Sequence, residues 1–168
     1  MRKFLDGLYG STAWLAGLGM IGILVMVLLT VLSRVIGFNA PGTDAYAGYA
    51  MAGCGFMALA STLKKGEHIR VTLLLGALKG KALKTMEVTA LVIATTLAGF
   101  LAFYSTRLVY QSWEIDDISV GIDATPMWIP QIFMALGTIV FFIAFCDELV
   151  LELMGKRKAV ANEDAHHE

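Results

Sequence analysis

The residues equipped for chemistry are few and scattered. His68 lies in the stretch LKKGEHIRVTLLLGALKGKALKTMEV, residues 63–88, with Lys64, Lys65, Arg70, Lys79, Lys81 and Lys84. A histidine there could ligate a metal, but no second histidine or cysteine stands at ligand spacing, so it reads as an interfacial polar residue. The acids Glu114, Asp116, Asp117 and Asp123 sit in EIDDISVGID. They could bind a cation, yet the glycine and terminal glutamate of a calcium loop are missing, and a solvated loop is the better reading. Cys54 and Cys146 fall in apolar runs far from any C-x-x-C spacing, which suits small packing residues rather than a metal site or disulfide. His166 and His167 belong to a polar tail, VANEDAHHE, that reads as disordered from about residue 158 onward. There is no nucleophile elbow, H-E-x-x-H motif or Walker-type glycine pattern. The residues predict no enzyme, no catalytic or metal site, no cofactor and no nucleic-acid partner.

The elements that carry these residues explain the scarcity. Hydrophobic residues make up 57% of the 168, charged residues only 16%, and the mean hydropathy is +0.69. Four uncharged runs stand out: Gly7–Ser33, Ala45–Leu63, Val88–Thr106 and Ala124–Cys146. About 20 helical residues cross a hydrocarbon core of about 30 Å, so each run is long enough to span. Strands would need segments of alternating polarity, which these runs do not show. The expectation is an all-α integral membrane protein forming one membrane domain over residues 1–168, with spans near 12–33, 45–63, 88–106 and 124–146. The first run follows Arg2 and Lys3 like a signal peptide, but it is too long and lacks a small-residue cleavage site, so it reads as an uncleaved anchor.

Four crossings place the N-terminus, the second loop and the tail on one side. Eleven basic residues fall on that side and two, Arg34 and Arg107, on the other. Lysine and arginine mark the cytoplasmic face, so both termini are predicted inside. Within the basic loop, Val71, Leu74, Leu75 and Leu78 follow one helical face, and Lys81 and Lys84 tend to the other. This predicts an amphipathic arm near 68–84 lying in the membrane interface against lipid headgroups, weakened as a free helix by Gly76 and Gly80.

None of the four runs contains Asp, Glu, Lys, Arg or His. Ionisable groups at membrane depth mark ion paths and proton relays, and axial histidines mark haem subunits. Their absence argues against a self-sufficient coupled transporter and against a haem b subunit. The second run is instead rich in small residues. Gly48, Ala52 and Gly55, with Ala45, share one face, and Ala47, Ala50, Cys54, Ala58 and Ser61 populate much of the rest. Small residues let helices approach closely in lipid, which predicts either the centre of a bundle or an intersubunit face. The fourth run opens with TPMWIPQ. Pro126 suits a first helical turn, Trp128 suits the outer interface, and Pro130 marks a helix start or kink. Gln131 can bond across helices, or to local backbone or water.

These features resemble the small membrane subunit (DctQ type) of the tripartite ATP-independent periplasmic (TRAP) transporters, over roughly residues 28–137. The core of the likeness is LKKGEHIRVTLLL, similar to the family's basic pair, Gly-Glu-His-Ile-Arg-Val and apolar continuation. Arg34 after the first span, Asp44 opening the second, and PMWIPQ with Gly137 follow in the family's order. The chain departs from the pattern in PGTDAY, which leaves only Asp44 where the family often has a tryptophan and paired acids. Leu136 also stands where the family often has proline.

The resemblance implies a system in which a periplasmic substrate-binding protein captures a carboxylate, such as a C4-dicarboxylate. A large membrane subunit then carries it inward with sodium by an elevator-like motion. The small subunit would be a non-catalytic scaffold in the bacterial or archaeal inner membrane, contacting the large subunit, the binding protein and lipid. Under the same resemblance, Gly66, Glu67, His68 and Arg70 form a cytoplasmic structural motif. Arg34 and Asp44 form an outer ion pair or partner contact, and Trp128, Pro130 and Gln131 shape the outer start of span four. A chain ending soon after span four implies a separate large subunit. Two other readings are an independent small transporter or channel working as a homo-oligomer, and a membrane anchor for a redox complex.

Overall fold

The computed structural model describes residues 2–38, 40–64 and 81–154. Four long helices account for most of them: α1 (Arg2–Ile36), α2 (Thr43–Lys64), α3 (Lys81–Glu114) and α4 (Trp128–Leu153). Among the described residues, three helical segments are both long and apolar enough to cross a membrane: Gly7–Ile36, Leu83–Glu114 and Trp128–Leu153. The sequence predicts four. α2 is long enough at 22 residues, but its many Gly and Ala, with Tyr, Ser and Thr, dilute its apolarity. The expected interfacial arm lies largely in residues 65–80, outside the described residues, and Lys81–Lys84 open α3 instead. At its other end α3 runs on past the expected span, so Arg107 is helical.

The helices stand side by side in the order α1, α2, α4, α3, because α2 packs on α1 and α4, and α4 packs on α3. Contacts fix their directions. Along α1 and α2, Lys64 lies 5.3 Å over the Tyr9 ring, Gly19 faces Cys54, and Thr30 Oγ1 is 2.8 Å from Thr43 Oγ1, so the two are antiparallel. α2 and α4 run parallel, with Gly53 against Phe133 and the Phe56–Met57 backbone against Gly137. The two described connections meet at one end, where a Cβ on Gly42 would lie 3.1 Å from Asp123 Cβ. Gly42 has φ +83° and Gly37, which ends α1, has φ +80°. Gly37 N–H donates to Ser33 O at 2.9 Å, the left-handed cap that glycine permits.

Burial is inverted relative to a water-soluble protein. The buried set is dominated by Ala16, Ala47, Ala60, Ala98, Ala102, Ala135 and Ala144, while Trp14, Met20, Leu97 and Phe103 are each more than 60% exposed. On α3, Leu91, Ala98, Ala102, Ser105 and Ser112 are buried at heptad-like spacing, which gives one seam. Small residues inside let backbones approach, and bulky apolar residues outside suit contact with lipid or another membrane chain.

The closest approach to backbone atoms at any described glycine is between α2 and α4. A Cβ on Gly137 would lie 2.6 Å from Phe56 C, 2.7 Å from Phe56 O and 2.8 Å from Met57 N. All three are backbone atoms, so no side-chain rotation relieves the clash, and the helices themselves must separate. Gly137→Ala is therefore expected to destabilise the chain by about 1–3 kcal/mol, the range for overpacking. Gly22→Ala, where nothing lies within 4 Å, should be neutral or slightly stabilising. Thermal unfolding of the two variants in detergent checks the contrast.

Candidate functional site

Two polar clamps close the ends of the α2–α4 seam. At one end, Lys64 Nζ donates to Glu148 Oε1 at 3.0 Å and to Asp147 Oδ2. These side chains are only 14–23% exposed. Charge-assisted bonds in such a setting are stronger than surface ion pairs, because solvent screens them less. Beside them Tyr9, Ala60, Val140 and Ala144 form a buried cluster.

At the other end the connection between α3 and α4 folds back on α2. α3 ends in a Schellman-type cap: Asp116 has φ +50°, and Asp117 N–H donates to Ser112 O at 2.9 Å. Ile118 and Pro126 form an antiparallel bridge, and Ser119 N–H to Thr125 O and Met127 N–H to Asp117 O are each 2.9 Å. Pro126 thus belongs to this connection rather than to the helix, and Pro130 takes the first turn of α4, where a missing N–H is harmless. Tyr49 Oη, from α2, lies 2.9 Å from both Asp123 Oδ2 and Ser119 Oγ, and its single proton goes to the carboxylate. Ser119 Oγ donates to Asp123 Oδ1 at 3.0 Å and accepts from Gly121 N–H at 3.2 Å. Thr125 Oγ1 and Tyr46 Oη lie 3.1 Å apart. Partial desolvation raises the Asp123 pKa, but hydrogen bonds from Thr125, Tyr49 and Ser119 outweigh it and hold the carboxyl below its ordinary 3.8.

The predicted site residues fall as follows. Gly66, Glu67, His68 and Arg70 lie outside the described residues. Arg34 and Asp44 are both exposed, on the last turn of α1 and the first turn of α2. No ion pair joins them among the described residues; each instead carries the charge that its own helix end favours. Trp128 and Pro130 are half-buried at the start of α4. Gln131 buries its Oε1, which accepts no hydrogen bond from a described residue. Gly48, Ala52 and Gly55 pack against nothing among the described residues, so of the two expected roles the intersubunit face stays open to them. All three are exposed, and no atom lies within 4 Å of a Cβ placed on Gly48 or Gly55. The chain packs α2 through Ala47, Gly53, Met57 and Ala60 instead. Of the two residues that hold the clamps, Tyr49 carries no motif that would mark it, and Lys64 belongs to the basic pair of LKKGEHIRV, which says nothing of its acidic partners. Their signals were a tyrosine amid small residues and a lysine at the same helix end as two acids.

Helices that bury Gly and Ala and expose bulky apolar faces, tied at their ends by polar groups, make a membrane frame. A family model for the tripartite ATP-independent periplasmic transporters, DctQ component, matches residues 23–155. The chain belongs to this family. No curated protein matches it. As a DctQ-family chain it is the small component of a TRAP transporter and a multi-pass membrane protein. The family match also spans the α2–α4 seam and both clamps.

The Asp123 clamp has a definite pH dependence. A carboxyl whose folded pKa is lowered adds stability above its unfolded value, and that stability is lost as pH falls through the folded value. Hydrogen exchange at Ser119 and Met127, corrected for intrinsic rates, should stay slow near neutrality and speed up below the ordinary 3.8. Tyr49→Phe should speed exchange already near neutrality. At the opposite end, Lys64→Met should destabilise by about 1–3 kcal/mol, since hydrogen bonds to charged groups are worth about 1.5–3. Adding Asp147→Asn and Glu148→Gln should restore part of the loss in thermal unfolding.

Proposed function

We propose that this DctQ-family chain is the fixed, non-catalytic scaffold of a sodium-coupled transporter for carboxylates such as C4-dicarboxylates. It clamps the large membrane subunit and gives a periplasmic substrate-binding protein part of its docking surface. α2 is the fourth span, and both chain ends face the cytoplasm of a cell bounded by this inner membrane. The charge balance supports that orientation, and the alternation of helix directions supports a shared side for both chain ends; on this reading the Asp123 clamp lies outside and the Lys64 clamp inside. Arg34, Asp44 and Trp128 then belong to the outer surface near the binding protein. Gly66, Glu67, His68 and Arg70 lie on the inner side, where the second loop meets lipid headgroups.

The observation that carries the reading is the open stripe Gly48, Ala52 and Gly55. It is the kind of surface that admits a second helix at close range, yet the chain leaves it uncovered. Bulky apolar residues exposed on α1 and α3 extend the surface available to a membrane partner. The occupant is a helix of the large subunit.

The test is co-purification from native membranes with identification of bound proteins. The wild-type chain should bring down a large membrane subunit. Gly48→Leu with Gly55→Leu should sharply reduce that recovery while leaving the chain's own unfolding temperature unchanged, because the added side chains enter open space. Full recovery with the double variant would overturn the placement of the stripe, and absence of any large subunit with wild type would overturn the scaffold reading itself.

A further inference from the structure

α3 carries a charge that the rest of the frame does not match. Arg107 is exposed and lines a recess with Tyr104, Ser105, Leu108 and Gln111 of its own helix and Met134 of α4. No Asp or Glu lines that recess, and among the described residues none gives Arg107 an ion pair or a side-chain hydrogen bond.

Contacts between the helices set the depth of this charge. With α2 taken as the span proposed above, its uncharged run is bounded by Asp44 and Lys64. At about 1.5 Å per residue these two stand about 30 Å apart, the thickness of a hydrocarbon core. α1 agrees, because Tyr9 is level with Lys64 and Thr30 with Thr43. Gly53, nine residues from Asp44 and eleven from Lys64, faces Phe133, and Met134 is the next residue of α4. Arg107, beside Met134, therefore lies about 10–15 Å inside the nearer edge.

A cation exposed at that depth needs an anion close by. Either a lipid headgroup phosphate or a carboxylate on another membrane chain could supply one, and side-chain direction decides between them. A helical side chain leans toward the N-terminus of its own helix. α3 is antiparallel to α4, with Gly99 against Phe142 and Arg107 beside Met134, so it starts at the Lys64 end. Arg107 is slightly nearer the Asp123 end, so its side chain leans toward the core and away from the closer headgroups. Tyr104 and Gln111, three residues before and four after, share its helix face and offer further donors. A guanidinium fork matches a carboxylate with two parallel hydrogen bonds.

We propose that Arg107 pairs, within the membrane, with an Asp or Glu side chain on a helix of the large subunit, and that Tyr104 and Gln111 flank the pair. The identity of the partner rests on the scaffold reading above; the need for a carboxylate rests on the depth and direction of Arg107. Apolar faces alone would let two membrane chains slide, and one ion pair fixes their register.

The experiment compares the wild-type chain with Arg107→Gln and Arg107→Lys, each co-purified with the large subunit from native membranes and each also purified alone. Arg107→Gln should lower recovery of the large subunit by about tenfold or more, because removing one partner of a buried pair leaves the other charge uncompensated. Arg107→Lys keeps the charge and should restore part of the recovery. Neither change should lower the unfolding temperature of the chain alone, which separates lost assembly from lost folding. Leu108→p-benzoylphenylalanine, in the same recess, should photo-crosslink to a large-subunit helix within a turn of an Asp or Glu. Changing that acid to Arg should restore the recovery lost in Arg107→Glu. Full recovery with Arg107→Gln, beside normal recovery with wild type, would overturn this inference and leave the scaffold reading standing. Crosslinks to lipid alone would overturn it in favour of a headgroup phosphate, and normal recovery with lost uptake would overturn it in favour of the carboxylate substrate. No large subunit with wild type would remove the scaffold reading and this inference together.

Discussion

The structure depends on the place where α2 and α4 touch backbone to backbone. Gly137 meets the peptide between Phe56 and Met57 with no room for a single methyl group. In lipid, apolar surface gains little by leaving one hydrocarbon for another, so helix association rests on van der Waals contact and on hydrogen bonds. A glycine at the crossing brings the two helices within reach of both. The polar groups then act where they can reach across, at the ends: Tyr49 to Asp123 on one side and Lys64 to Asp147 and Glu148 on the other.

The remaining elements hang on that pair. α1 lies along α2 with a matched register from Tyr9 to Thr30, and α3 lies along α4 through a seam of Ala and Ser. Because the row is one helix thick, each helix keeps a broad face that no other part of the described chain covers. Bulky residues such as Trp14, Met20, Leu97 and Phe103 occupy those faces, and Gly48, Ala52 and Gly55 make a smooth strip between them. Such a shape suits a membrane chain that adds breadth to another one.

Much of this was legible in the residues. Length and apolarity marked the helices, and the order of LKKGEHIRV, PMWIPQ and Gly137 pointed to the DctQ family that the match over residues 23–155 shows. Gly137 stood in that pattern, though only the structure gives its reason. The packing face of α2 was not legible. A helix with Gly and Ala on nearly every side has no apolar moment to point inward, so Gly48, Ala52 and Gly55 looked as suitable as Ala47, Gly53 and Ala60. The clamps were hidden for a different reason. Tyr49 and Asp123 are 74 positions apart, and Lys64 and Asp147 are 83 apart, so local pattern says nothing of either pair. Pro126 misled because proline suits a first helical turn as well as it suits the bridge with Ile118.

In the proposed scaffold role this chain supports a carrier and moves no cargo itself. The direct measurement is uptake of a labelled C4-dicarboxylate into liposomes under an inward sodium gradient. One set holds the purified chain alone, and another holds it with its large subunit and the substrate-binding protein. Uptake only in the second set is the predicted result. Sodium-dependent accumulation with this chain alone would contradict that role.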